Sequence, residues 1–174
     1  MDLKALLEYV HKLLVDSSID HALIGGLALG ALGFQRFTND IDILIDSDDR
    51  ASLKEAFKKV GFTIFHENNE FIQFAGKGQV DVLVANRPLS KAMLKNALEF
   101  KPLGIKCLRV EDIIGLKIQS FATSAKRELQ EKSDIQKLIE IHEKNINWTQ
   151  VKKYADLFSK WEDIENIRKL LKNE

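Results

Sequence analysis

The chain has 174 residues, 45% apolar and 30% charged, with 26 Lys+Arg against 26 Asp+Glu. This size suits one domain or one domain with an appendage, and zero net charge excludes a global field that draws the protein to nucleic acid or anionic membrane, while leaving room for a local basic patch. The single Cys107 excludes an intramolecular disulfide and a cysteine-built zinc site, suits a reducing cytoplasm, and lies in an apolar run where core packing is its expected role.

Leu3, Leu6, Leu7, Val10, Leu13 and Leu14 recur at helical spacing, so residues 2–16 are expected to form an amphipathic helix, not a secretory leader. No run is long enough to cross a membrane. His21 to Ile24 is a short buried strand, Gly25-Gly26 a turn, and Leu27 to Leu32 a short helix closed by Gly33. Ile41 to Ile45 is a second strand. Ser47-Asp48-Asp49 start a helix with the core face Leu53, Ala56, Phe57 and Val60, and Gly61 ends it. Phe62–His66, Glu70–Ala75 and Gln79–Val84 read as three strands joined by hairpin-like turns. Pro88 opens a helix to about Leu98, and Gly104 leads into the strand Ile105–Leu108. Helices follow at about Glu111–Glu128, Ser133–Glu143, Thr149–Phe158 and Lys160–Leu171. The predicted class is α/β (α+β): a small mixed sheet with flanking helices over 1–109, then a helical part over 110–174 packed against it.

Asp40 and Asp42 interrupt an otherwise Ile/Leu strand. Side chains at i and i+2 share a face, so the two carboxylates project together while Ile41, Ile43 and Ile45 face the core. Two such acids repel unless a cation neutralises them. Oxygen-only ligands favour Mg²⁺ or Mn²⁺. Asp81, between Val80 and Val82, offers a third carboxylate from another strand. Three such acids can hold a pair of metals roughly 3.5–4 Å apart, an arrangement suited to in-line displacement at phosphorus. Gly25-Gly26 lets a phosphate approach the backbone at the start of a helix. A Gly-Gly turn or an Asp-x-Asp pair alone is also consistent with ordinary turn and surface structure.

In combination, these residues resemble the nucleotidyltransferase superfamily with the DNA polymerase β-like fold. The motif reads Ile24-Gly25-Gly26, Leu27-Ala28-Leu29, Gly33, Arg36, Thr38, Asp40-Ile41-Asp42-Ile43-Leu44 and then Val80-Asp81-Val82-Leu83, and it covers residues 21–84. The form Arg-x-Thr-x-Asp-Ile-Asp is similar to the small prokaryotic branch that contains antibiotic nucleotidyltransferases and AbiEii-type toxins. Two later segments extend the likeness. Asp112-Ile113-Ile114-Gly115-Leu116-Lys117 fits the branch well. Lys132-Ser133-Asp134-Ile135-Gln136-Lys137-Leu138 departs from it, with one residue inserted between Lys and Asp and with Lys137 where a second Asp is usual. The resemblance implies metal-dependent transfer of a nucleoside monophosphate from an NTP such as ATP, releasing pyrophosphate. Asp40, Asp42 and Asp81 would hold Mg²⁺ or Mn²⁺. Gly25 and Gly26 would receive the β- and γ-phosphates, and Asp134 would stand near the nucleotide. The acceptor would be RNA such as tRNA, a protein, or a small molecule, and an antitoxin-like partner is implied. A catalytically idle nucleotide- or partner-binding module is the alternative from another class.

Lys117 stands out by pattern as well, since it lies inside the apolar stripe of Val110, Ile113, Ile114, Ile118 and Phe121. Its ammonium either snorkels out or meets the triphosphate or the acid cluster. Arg36 is a phosphate ligand or an acid's partner, and Thr38 fixes the turn before the strand. Asp46, Asp48 and Asp49 are read as strand-end and capping residues. His142, beside Ile135, Leu138 and Ile139, reads as packed; His11, His21 and His66 are scattered, without zinc spacing. Trp148 and Trp161 are core or partner contacts, and Lys126-Arg127 and Lys152-Lys153 are solvated faces or an RNA-backbone patch.

Overall fold

The computed structural model describes residues 1–172 and begins with helix α1 (Leu3–Asp16), whose start is set by Asp2, whose side chain accepts from the Ala5 amide at 2.8 Å. The apolar stripe read from the sequence is the buried one: Leu6, Leu7, Val10 and Leu14 face inward. The chain divides into two units, Met1–Ala31 with Gln35–Leu108, and Leu32–Phe34 with the residues from Arg109 onward.

In the first unit follow β1 (His21–Leu23), α2 (Gly25–Ala31), β2 (Asp40–Asp46), α3 (Arg50–Lys59), β3 (Thr63–Glu67), β4 (Phe71–Ala75), β5 (Gln79–Ala85), α4 (Pro88–Lys95), β6 (Leu98–Phe100) and β7 (Ile105–Cys107). The seven strands make one mixed sheet in the order β3-β4-β5-β2-β1-β7-β6. β2 runs parallel to β5, β1 parallel to β7, and the other pairs are antiparallel. The two-residue period decides the faces. Ile41, Ile43 and Ile45 on β2 and Val80, Val82 and Val84 on β5 are buried, while Asp40, Asp42 and Asp81 lie half-buried on the opposite face. Cys107 is core, and burial pushes its thiol up to about 12.

Three local expectations change. Gly25-Gly26 is not a turn outside the helix but the first two residues of α2. α4 stops at Lys95, and Leu98–Phe100 pair with β7 as an edge strand; so short an apolar run carries no period that separates helix from strand. The helix expected over Glu111–Glu128 ends at Thr123, whose hydroxyl bonds back to the Gln119 and Ser120 carbonyls while Ser124 is extended.

The second unit packs α5 (Val110–Thr123), α6 (Glu128–His142), α7 (Trp148–Leu157) and α8 (Trp161–Lys172) around Ile113, Ile118, Ile135, Leu138, Val151 and Ile164. His142 is the packed histidine expected of its helix face, and its Nε2 donates to the Leu32 carbonyl at 2.7 Å. That bond anchors the three-residue segment Leu32–Phe34 to α6. Trp148 and Trp161 lie under cations: Arg168 stacks 3.7 Å from the Trp148 centroid and Lys152 lies 5.3 Å from that of Trp161.

Candidate active site

Strand register assembles the site in the first unit. Asp42 on β2 pairs with Asp81 on β5, and Asp81 pairs in turn with Gln73 on β4. These side chains therefore form a row across three adjacent strands, with Asp40 two positions along on the same face. One carboxylate oxygen from each of Asp40, Asp42 and Asp81 lies within 4.8 Å of the other two. Three half-buried carboxylates at this separation repel one another, and a hard divalent cation relieves that repulsion. The donor set is all oxygen, as Mg²⁺ or Mn²⁺ requires.

Neighbouring groups hold the acids in place. The Thr38 hydroxyl donates to Asp40 Oδ1 at 2.5 Å, so Thr38 fixes the strand entry, as expected, and also orients a ligand candidate. Gln73 Nε2 donates to Asp81 Oδ2 at 2.8 Å and Gln79 Nε2 to Asp81 Oδ1 at 3.3 Å. Gly25 has φ +61°, and a Cβ there would overlap Asp42 Oδ2. A Cβ on Gly26 would lie 2.7 Å from that of Thr38. Both glycines thus serve close approach, Gly25 to a carboxylate and Gly26 to the threonine behind it. α2 is only seven residues long, so its dipole adds little, and backbone without a side chain is what these half-buried glycines offer. A shallow hollow of about 410 Å³ beside them is lined by Gly26, Leu27, Gly30, Gln35, Arg36 and Phe37. Arg36 and Gly26 thus line the same hollow.

In the second unit Lys117 is buried, with its ammonium 2.7 Å from Glu131 Oε2 and 2.6 Å from Asp134 Oδ2. Ser120 donates to Glu131 Oε1 at 2.9 Å and Gln130 to Asp134 Oδ1 at 3.3 Å. Lys117 and Asp134, which the sequence marks separately, therefore belong to one cluster. Sequence reasoning misses Glu131, although an acid three residues before Asp134 on the same helix face is a readable signal. Asp112, also in the Asp-Ile-Ile-Gly-Leu-Lys run, is fully buried; it accepts from the Tyr154 hydroxyl at 2.5 Å and from Arg109 Nε at 3.3 Å. Burial pushes its carboxyl above the usual range, against the pull of Tyr154 and Arg109. It pins α7 to α5. In the first unit His11 and His21 are not scattered: His11 Nδ1 lies 2.8 Å from His21 Nε2, and His21 Nδ1 donates to the Ile19 carbonyl.

A mixed sheet whose parallel central strands carry three converging carboxylates, entered past a Gly-Gly pair, is the arrangement of a nucleotidyltransferase. Residues 12–160 match the family model described as "Nucleotidyl transferase AbiEii toxin, Type IV TA system", and the chain belongs to that family. It is similar in structure to ANT(2″)-Ia crystallised with adenylyl-2″-tobramycin, with TM-score 0.65 and 14% identity over 89% of this chain and 95% of that one. The lincosamide antibiotic adenylyltransferase LnuA, lincomycin-bound, gives TM-score 0.59 and 18% identity over 80% and 98%. An antigenic nucleotidyltransferase-like protein from Paracoccidioides brasiliensis gives 0.60 and 21% over 97% and 92%. At these identities the likeness is one of fold. No curated protein sequence matches the chain significantly. Among the described residues no helix is long and apolar enough to cross a membrane.

Proposed function

We propose that this nucleotidyltransferase moves a nucleoside monophosphate from an NTP to an acceptor hydroxyl with the help of a divalent ion, Mg²⁺ or Mn²⁺, held by Asp40, Asp42 and Asp81. The convergence of those three carboxylates within 4.8 Å carries the reading. An ion bound there supplies charge neutralisation at the α-phosphorus and a lower pKa for the attacking hydroxyl. Gly25 and Gly26 receive the β- and γ-phosphates on their backbone, with Arg36 lining the same hollow as Gly26. Asp81 takes the acceptor proton. The acceptor oxygen bonds to the α-phosphorus as the bond to pyrophosphate breaks, so positioning and charge stabilisation supply most of the rate. We assign Lys117 and Asp134 to nucleotide contact on the strength of their motif positions alone.

The family description, a toxin of a toxin–antitoxin system, supports an antitoxin-like partner, and with that reading we take the acceptor to be RNA or protein. The reducing compartment suggested by a lone, buried cysteine fits a cytoplasmic site of action. A small-molecule acceptor is the second reading, supported by fold neighbours crystallised with adenylyl-2″-tobramycin and with lincomycin. The test is incubation with each of four α-labelled NTPs, total cell RNA and protein, and a panel of aminoglycosides and lincosamides, with Mg²⁺ or Mn²⁺. Label should move to one acceptor class and vanish in Asp40→Asn/Asp42→Asn. Transfer that survives the double substitution refutes the assignment of the acids. Label on a drug alone selects the second reading.

A further inference from the structure

We propose that Gln73 is a positioning residue for the metal site, acting through Asp81; this rests on the metal-dependent reading above. The motif that identifies the family stops at three acids and says nothing of what aims them. In this chain Asp81 sits between two others in a row fixed by backbone pairing: Gln73 on β4, Asp81 on β5, Asp42 on β2. Adjacent strands are about 4.8 Å apart, so along this row the Asp81 carboxylate is flanked by Asp42, which repels it, and by the Gln73 carboxamide, which attracts it. The 2.8 Å bond must run from Gln73 Nε2, since an ionised carboxylate only accepts. Gln73 is half-buried between Ile72 and Phe74, both core residues, and its own strand is paired on both sides. Its backbone is therefore held by the sheet, and its amide is tied to Asp81 by the 2.8 Å bond.

The bond selects one orientation for Asp81. Oδ2 is engaged by the neutral donor, and the carboxylate keeps lone pairs for a cation, because four acceptor positions are available and Gln73 uses one. Gln79 also reaches Asp81, but from an exposed side chain and at 3.3 Å, so its hold is the weaker. A neutral amide suits this place better than a basic side chain. Lysine or arginine there would neutralise Asp81 and compete with the metal, whereas glutamine orients the acid and leaves its charge in the cluster. Outer-shell partners of this kind change metal affinity about 10–100-fold when removed.

Mn²⁺ binding, followed by the loss of the free-ion electron paramagnetic resonance signal, tests this without any acceptor. Gln73→Met keeps length and removes the donor; the apparent Kd should rise about tenfold or more while the thermal midpoint stays at the wild-type value. Gln79→Met should change the Kd less than twofold. The discriminating arm is a double-substitution cycle: in an Asp81→Asn background, Gln73→Met should have no further effect on the Kd. Equal losses with and without Asp81, or a Gln73→Met protein that binds like the wild type, overturn the positioning role and leave the metal site standing. A wild-type protein that leaves the free-ion signal unchanged at millimolar Mn²⁺ overturns the metal reading itself.

Discussion

Gly25→Ala gives the sharpest test of how the site is built. Position 25 has φ +61°, a region that costs a residue with a side chain about 1–2 kcal/mol. The added methyl would also overlap Asp42 Oδ2 and lie 2.5 Å from its Cγ and 2.7 Å from its Cβ. Rotating the carboxylate away relieves the first two contacts but not the third, because the Cβ is fixed by a strand paired on both sides with β1 and β5. The remaining overlap must be met by backbone movement, at about 1–3 kcal/mol for an overpacked site. Together the two effects amount to about 2–5 kcal/mol of stability. Urea unfolding reads that figure, and Mn²⁺ titration reads the ligand displacement, expected to weaken binding at least about tenfold because one acid of three is moved. Gly30→Ala is the internal control. It lies on the same helix, and an added methyl there would meet nothing within 4 Å, so it should be neutral or stabilising by up to about 1 kcal/mol. A Gly25→Ala protein that unfolds within about 0.5 kcal/mol of wild type, the range of an ordinary surface substitution, and binds Mn²⁺ normally would refute the claim that this glycine makes room for Asp42.

Lys117→Met should cost about 3–5 kcal/mol, because it takes away the buried cation that Glu131 and Asp134 share. Lys12→Met, which removes an exposed pair to Asp16, should cost less than about 1 kcal/mol by the same urea measurement. Near-equal losses would mean that the Lys117 cluster is solvated. Burial holds both His11 and His21 below their ordinary value of 6.5, so the unfolded chain binds more protons than the folded one in the window below it. Stability should therefore be fully present above pH 6.5 and fall as the pH drops through the lowered values. The decline between about pH 7 and pH 5 should be shallower in His11→Leu/His21→Leu, and an equal slope would show that the pair does not drive it.

What can be read from the sequence, and what cannot, follows from the range of the interactions. Asp40 and Asp42 are legible because a two-residue period within one strand sets their common face. The Leu stripe of α1 is legible because helical spacing does the same for a helix. Gln73 and the His11–His21 contact are not, since each depends on which element lies next door. The Thr123 break is hidden for a related reason: a serine-threonine pair bends or ends a helix only where the next segment packs elsewhere. Asp81 marks the boundary between the two kinds of information. Its neighbours Val80 and Val82 announce a strand, but its meeting with Asp42 depends on β5 returning parallel to β2 in one register. A slip of one residue would turn Asp81 into the core and bring Val80 or Val82 to the acid face. The burial of those two valines is therefore what fixes the third carboxylate in the site. Apolar packing on one face of the sheet sets the chemistry on the other, and a substitution such as Val82→Asp should abolish Mn²⁺ binding through register before any ligand is touched.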